Sequence, residues 1–189
     1  MDRALKKRKR ISPPAIGRGM SVTTLVDETF LAFNAARLRE AAQLLARRVM
    51  SSDTTVALSL TGAMTPAGLG MSSLVPLIEA GFVDWIISTG ANIYHDIHHG
   101  LDLGMFAGTP YENDVALRKQ QVVRIYDVFF DFDVLLRTDE FIYTLMDAPQ
   151  FQKEMGTAEL HNMLGRAVNE RAEALGRTDR SVVATAWRC

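Results

Sequence analysis

The feature that most constrains the fold is a pattern that occurs twice in succession: a short apolar run, a loop of small residues, then a helix. The first run, Thr54–Leu60, reads Thr-Thr-Val-Ala-Leu-Ser-Leu. It is mostly apolar and partly β-branched, which suits a buried strand. It passes into Thr61-Gly62-Ala63-Met64-Thr65-Pro66-Ala67-Gly68-Leu69-Gly70, a glycine-containing loop. A helix follows with Met71, Leu74, Leu77 and Ile78 on its inner side, and Gly81 ends it as a C-terminal glycine does. The second unit repeats the order. Phe82–Ser88 is strand-like, Thr89-Gly90-Ala91-Asn92 is a second small-residue loop, and a helix is expected to start near Tyr94. Two such units predict parallel strands with helical crossovers, hence an α/β sheet with flanking helices.

The flanking segments fill in the rest. Residues 1–20 read as a flexible basic leader, broken by Pro13-Pro14 and Gly17-Arg18-Gly19, and residues 21–189 as the folded part. Leu25 to Met50 has helical periodicity, with Leu38, Ala42, Leu45 and Val49 on one face. Residues 101–117 are loop-like, and Val122 to Phe132 is suited to a third strand. Thr138 is expected to cap a short helix through Met146, and Thr157 a longer one closed by Gly176. Ser181 then caps Val182–Trp187, and the chain is expected to end inside that helix, where a doubly wound fold would hand over to another strand.

Composition excludes several classes. With 189 residues and 48% hydrophobic content the chain can bury one sizeable core. No apolar run reaches the roughly 18 residues of a membrane span, and no signal-peptide region follows the basic start, so a cytoplasmic protein is expected. The net charge of −1 is uneven: residues 1–19 carry +6. Lys6 to Arg10 reads either as a nucleic-acid patch or as a solvated tail; with no aromatic residue interleaved for base stacking, the tail is the preferred reading. The single cysteine, Cys189, excludes a disulfide framework and a cysteine zinc site.

The two loops are the first candidate site. A loop at the carboxyl end of a parallel strand, leading into a helix, offers free N–H groups and the positive end of the helix dipole to a phosphate or dinucleotide. The alternative is a pair of tight turns that only join elements. His95-Asp96-Ile97-His98-His99 places His95 and His99 at i, i+4, a spacing that can hold a metal. No third ligand is evident, and lining a pocket or a subunit contact is the preferred reading, with His95 a candidate proton carrier. Asp131 and Asp133 would share one strand face, where they can receive a cationic amine or simply be solvated. Of the five lysines, Lys119 and Lys153 sit in charged stretches that would not depress a pKa for imine chemistry, and the others lie in the leader.

The string Leu60–Gly70, with Leu77–Asn92 and then Tyr94-His95-Asp96, resembles the bacterial branch of the deoxyhypusine synthase family, which includes homospermidine synthase-like members. The resemblance runs from about Gly19 onward, covers the amino-terminal half of the family's length, and is strongest over residues 55–104. It implies a Rossmann-like α/β fold, here incomplete, that usually assembles as a homotetramer. It implies NAD, contacted by the Gly62–Gly70 loop through Thr65 and Gly68 and by Thr89, Gly90 and Ala91, with His95 a pocket residue. It implies aminobutyl transfer from spermidine or a related polyamine through a catalytic lysine to an amine or a protein lysine. The family's lysine segment, Glu-x-x-x-Trp-x-Lys-like, has no counterpart here, and Tyr94-His95 replaces the paired glutamates of eukaryotic members. The resemblance therefore leads to the expectation of a truncated chain, inactive alone, that needs a second half-protein or a full-length paralogue. The competing readings are a non-catalytic subunit regulating such a paralogue and a small basic-tailed nucleic-acid-binding protein.

Overall fold

The computed structural model describes residues 8–51, 53–178 and 180–189. They form two units, one up to Val56 and one from Ala57 to Cys189. Lys6 and Lys7 of the basic cluster lie outside the described residues, and residues 8–19 are exposed and carry neither helix nor strand.

The first unit is helical. Helix α1 (Val22–Thr24), capped by the Ser21 hydroxyl at 3.1 Å, runs on as a π-helical turn over Leu25–Thr29. Helix α2 (Phe33–Leu44) continues as a second π-helical turn, Leu45–Val49. The helix expected over Leu25–Met50 is thus interrupted at Phe30, whose ψ of 68° breaks the ladder. The face expected to be buried is largely open: Leu38 and Leu45 are exposed and Ala36 is buried.

The second unit is mixed α/β. Strand β1 (Ala57–Leu60) pairs in parallel with β2 (Trp85–Ser88), Leu60 opposite Ser88. Between them lie the Gly62–Gly70 loop, a π-helical turn at Gly70–Leu74 and helix α3 (Val75–Glu79), after which Gly81 turns the chain at φ +71°. Leu60, Leu74, Val75, Ile78 and Val182 close a core over one face of this sheet. Helix α4 (Gly90–Gly100) follows β2 directly.

The third strand is not part of the parallel sheet. Strands β3 (Phe106–Ala107), β4 (Val122–Ile125) and β5 (Val128–Asp131) form a separate antiparallel sheet in the order β3-β5-β4. The run Val122–Phe132 is a hairpin that turns at Tyr126, with φ +55°. Helix α5 (Asp114–Lys119), capped by Asn113, occupies the end of the expected loop. Helix α6 (Phe132–Met146) starts earlier than expected because Asp131 caps it, and Thr138 is fully buried inside it. Gly156, not Thr157, is the cap residue of α7 (Thr157–Leu175), which Gly176 ends in the left-handed conformation at φ +66°. Ser181 caps α8 (Val182–Arg188) as expected.

A second core joins Ile97 of α4, Phe130 of β5, Val134 of α6, Leu164 and Val168 of α7, and Val183 of α8. Two glycines make that packing possible. A Cβ on Gly165 would lie 2.4 Å from the Val183 carbonyl oxygen, and one on Gly100 would lie 2.4 Å from Val168 Cγ1. No helix among the described residues is long and apolar enough to cross a membrane.

Candidate functional site

The two loops meet at Asn92. Thr89 is the N-cap residue of α4, so the loop expected at Thr89–Asn92 is the first turn of the helix, which starts at Gly90 and not near Tyr94. Asn92 is buried there. Its Oδ1 accepts from the backbone N–H of Met64 at 3.2 Å and of Thr65 at 3.4 Å. Its carbonyl accepts the Thr65 hydroxyl at 2.8 Å, and its Nδ2 donates to Thr89 Oγ1 at 3.3 Å. A buried amide bonded to both loops fixes its neighbours, because leaving any of those bonded groups without a partner costs about 1–3 kcal/mol. The Thr89 N–H also donates to the Leu60 carbonyl at 3.2 Å, which sets the start of α4 beside the end of β1.

The predicted cofactor residues fall on both sides of this tie. Thr65 is 2% exposed, and its carbonyl accepts the Gly68 N–H at 2.9 Å and the His99 Nε2 proton at 3.0 Å. Gly68 takes φ +79°, and the nearest atom to a Cβ built there is Met71 Cε at 3.8 Å. Thr89, Gly90 and Ala91 are exposed. The N–H groups of Gly90 and Ala91 have no acceptor among the described residues, and nothing lies within 4 Å of a Cβ built on Gly90. The 11-residue helix thus presents two free donors and its positive end to solvent, next to a glycine loop that a ligand can approach. Such a place binds anions and phosphates.

The histidines pack below. His98 is fully buried, with Nδ1 2.7 Å from Thr138 Oγ1 and Nε2 without a partner among the described residues. Burial, then the neighbouring His95 and His99, pushes its pKa down to about 3. His95 is half-buried, 5.1 Å from His98 ring to ring, with a buried Nδ1 that has no partner among the described residues; burial first and His99 second lower its pKa. Both rings are neutral at neutral pH. Tyr94 donates to Asp139 at 2.8 Å, and burial, then that carboxylate, raises its pKa. No cluster of three or more His, Cys, Asp or Glu among the described residues is placed to hold a metal.

Asp96 has a role that the sequence did not disclose. Its buried carboxylate accepts the Ser181 hydroxyl at 2.7 Å and the Val182 and Val183 N–H groups at 2.8 and 2.9 Å, so α4 anchors the start of α8. Burial raises its pKa, and those three donors oppose the rise. No local signal marks the ties of Asn92 to the glycine loop or of Asp96 to α8, since the loop partners of the first lie 27 to 28 residues away and the partners of the second 85 to 87. Asp131 and Asp133 do not form an amine-receiving pair on a strand: Asp131 accepts the Asp133 N–H at 2.8 Å as the cap of α6. Lys119 and Lys153 are exposed, the latter paired with Glu159.

A family model described as deoxyhypusine synthase matches residues 25–189. A deoxyhypusine synthase-like protein of Nostoc sp. is 52% identical over 95% of this chain and 47% of its own length. One from Thermosynechococcus vestitus is 51% identical over 95% of this chain and 45% of its own length. A probable deoxyhypusine synthase 1 of Archaeoglobus fulgidus is 38% identical over 73% of this chain and 46% of its own length. The chain spans about half the length of the curated relatives it matches.

Proposed function

The chain belongs to the deoxyhypusine synthase family, and from that premise we propose that it supplies the cofactor-binding part of an NAD-dependent aminobutyl transferase. The donor is spermidine or a related polyamine, and the acceptor is an amine or a protein lysine. The reading includes a cytoplasmic, oligomeric assembly, as the family implies.

One observation carries this reading. The free N–H groups of Gly90 and Ala91 stand at the start of α4, and Asn92 ties that start to the glycine loop. These residues fit a dinucleotide. Gly90 and Ala91 would donate to its phosphate oxygens, and the Thr89 hydroxyl, exposed at the cap, would accept or donate beside them. Gly68 would allow close backbone approach. Thr65 would keep the loop in register from below, through its bond to Asn92. NAD, when bound, supplies the hydride acceptor for oxidation of the polyamine. His95, held neutral by burial, would line the adjoining pocket.

The lone chain is proposed to be inactive. Lys9, Lys119 and Lys153 are exposed, outside any buried apolar setting of the kind that imine chemistry uses, and Lys6 and Lys7 lie outside the described residues. The test incubates the chain with NAD and spermidine labelled in its aminobutyl group, with and without a polypeptide covering the relatives' remaining length. Label is expected to move to an acceptor amine only in the mixture; transfer by the lone chain would overturn the proposal.

A further inference from the structure

A concavity of about 420 Å³ is lined by the glycine loop and by the antiparallel sheet. That volume lies in the range of small-molecule sites. Met71, just past the loop, contributes apolar surface, as do Met105, Phe106 and Val128 at the paired ends of β3 and β5. Phe106 stands 65% exposed there. Apart from the methionine thioethers, the polar side chains that line the concavity are those of His99, in the last turn of α4, and Asp127. No lysine or arginine lines it.

The fold assigns His99 one role there. Its ring is 9% exposed, and its Nε2 lies 3.0 Å from the Thr65 carbonyl. A carbonyl can only accept, so the proton of the neutral ring sits on Nε2 and Nδ1 is a bare lone pair. Nδ1 has no partner among the described residues. Unlike Nδ1 of His95, it is not sealed from solvent, and the surface that His99 lines is this concavity. The backbone of Asp127 is fixed beside it, since its carbonyl accepts the Gly108 N–H at 2.7 Å. The Asp127 carboxylate itself has no ion-pair partner among the described residues. The site is thus built before any ligand arrives, which lowers the ordering cost of binding.

Both groups accept hydrogen bonds and neither has a proton to give. A phosphate or carboxylate would meet Asp127 with no cation to offset the repulsion. A wholly apolar guest would leave Nδ1 covered and without a partner. The complement is a group that is positively charged, donates several hydrogen bonds and carries an alkyl stem. A primary ammonium has three donors and no acceptor. Residues 57–189 hold seven more acidic than basic residues, which favours a cation further. We propose that this concavity binds the ammonium end of an aliphatic amine. His99 Nδ1 and the Asp127 carboxylate accept its N–H groups, and its methylenes lie against Met71, Met105 and Phe106, where methionine adapts to the stem. The ammonium belongs to a free amine or to a lysine side chain, which present the same chemistry. The amine lies beside the glycine loop and leaves the start of α4 to the dinucleotide. The binding rests on neither the cofactor nor the transfer proposed above.

The test follows the native chain by two-dimensional NMR at about pH 8, where a primary amine is charged and an ordinary imidazole is neutral. The probes are butylamine, diaminobutane and the amide of N-acetyl-lysine, with butanediol as the uncharged counterpart. The amines are expected to move the Nδ1 resonance of His99 and the backbone signals of Gly68, Ala107 and Val128, and butanediol to move none of them. Asp127→Asn is expected to weaken amine binding about three- to fivefold. Glu154→Gln, the same change of charge at an exposed position outside the concavity, leaves it unchanged. Met105→Lys places an ammonium of the chain's own in the concavity and is expected to abolish binding. Tighter binding of the lysine amide than of diaminobutane assigns the site to a lysine side chain, and the reverse order to a free amine. No shift at His99, equal binding of butanediol, or indifference to Asp127→Asn would overturn the proposal. So would displacement of the amine by NAD, which would give the concavity to the dinucleotide. Amine binding by a chain that ignores NAD supports this proposal and counts against the cofactor reading; NAD binding by a chain that ignores amines does the reverse.

Discussion

Replacing Asp96 with asparagine tests how the second unit is held together. In the native arrangement Oδ1 accepts the Val182 N–H, and Oδ2 accepts the Val183 N–H and the Ser181 hydroxyl. All of these groups are buried. An asparagine carbonyl at the Oδ2 position keeps two bonds but turns an NH₂ toward the Val182 N–H, which then has no acceptor. A buried donor without a partner costs about 1–3 kcal/mol. Losing a negative charge at the start of α8 adds about 0.3–1 kcal/mol. The expected loss is therefore about 1–4 kcal/mol. In urea, with a slope of about 2 kcal/mol/M for a chain of this size, the midpoint falls by about 0.6–2 M with the slope unchanged. Far-UV circular dichroism and tryptophan fluorescence, to which Trp187 next to the last residue of α8 contributes, would follow the transition together. A shift worth less than about 0.5 kcal/mol, within the range of an inert surface change, would refute the reasoning, because it would mean that Asp96 is not the ionised acceptor of three donors.

Three further outcomes follow from the same geometry. Gly165→Ala would push a methyl toward the Val183 carbonyl and the Trp187 Cβ, at 2.4 and 3.0 Å. It is expected to cost about 1–3 kcal/mol by overpacking, measured by urea unfolding, and an unchanged midpoint would contradict the close α7–α8 contact. His98, neutral in the fold to about pH 3, takes up a proton near pH 6.5 once unfolded. Because the unfolded state binds the extra proton between those values, His98 stabilises the fold above pH 6.5, and that stability is lost as the pH falls toward 3. The expected slope from this one group is about 1.4 kcal/mol per pH unit, and His98→Gln should remove it; equal slopes in both proteins would refute the assignment. Ser181→Ala removes both the bond to Asp96 and the cap to the Ala184 N–H. It is expected to cost about 1–2 kcal/mol, less than the asparagine substitution at Asp96.

The strands of the parallel sheet were legible because Thr54 to Leu60 and Phe82 to Ser88 are short, mostly apolar runs, each followed by a loop of small residues. What failed nearby failed for identifiable reasons. The start of α4 was hidden because its first residue is a glycine, a poor helix former, although Thr89 at the cap has the ordinary extended φ and ψ of −67° and 148°. The β4–β5 hairpin read as one strand because its turn carries Tyr126 at φ +55°, where glycine or asparagine would have signalled a bend. Helix α6 begins with Phe132, Val134 and Leu135, which look strand-like in isolation, and the capping role of Asp131 emerges only when the backbone turns there. The candidate site divides in the same way. The two loops that hold Gly68, Gly90 and Ala91 could be proposed from local pattern, and those residues within them from the family resemblance. The ties that hold them, Asn92 to Thr65, His99 to the Thr65 carbonyl and Asp96 to α8, span 27 to 87 residues and have no local signature.

The most direct measurement is NAD binding to the native chain and to Gly90→Pro, by titration calorimetry, each alone and mixed with the polypeptide covering the relatives' remaining length. Proline is well tolerated at the first position of a helix and removes only the N–H. A side chain at Gly90 meets nothing within 4 Å, so stability is expected to stay within about 0.5 kcal/mol. If the start of α4 holds the dinucleotide, the lost charge-assisted bond, worth about 1.5–3 kcal/mol, weakens binding by about tenfold or more. Equal NAD affinity for the native chain and Gly90→Pro would contradict the proposed site.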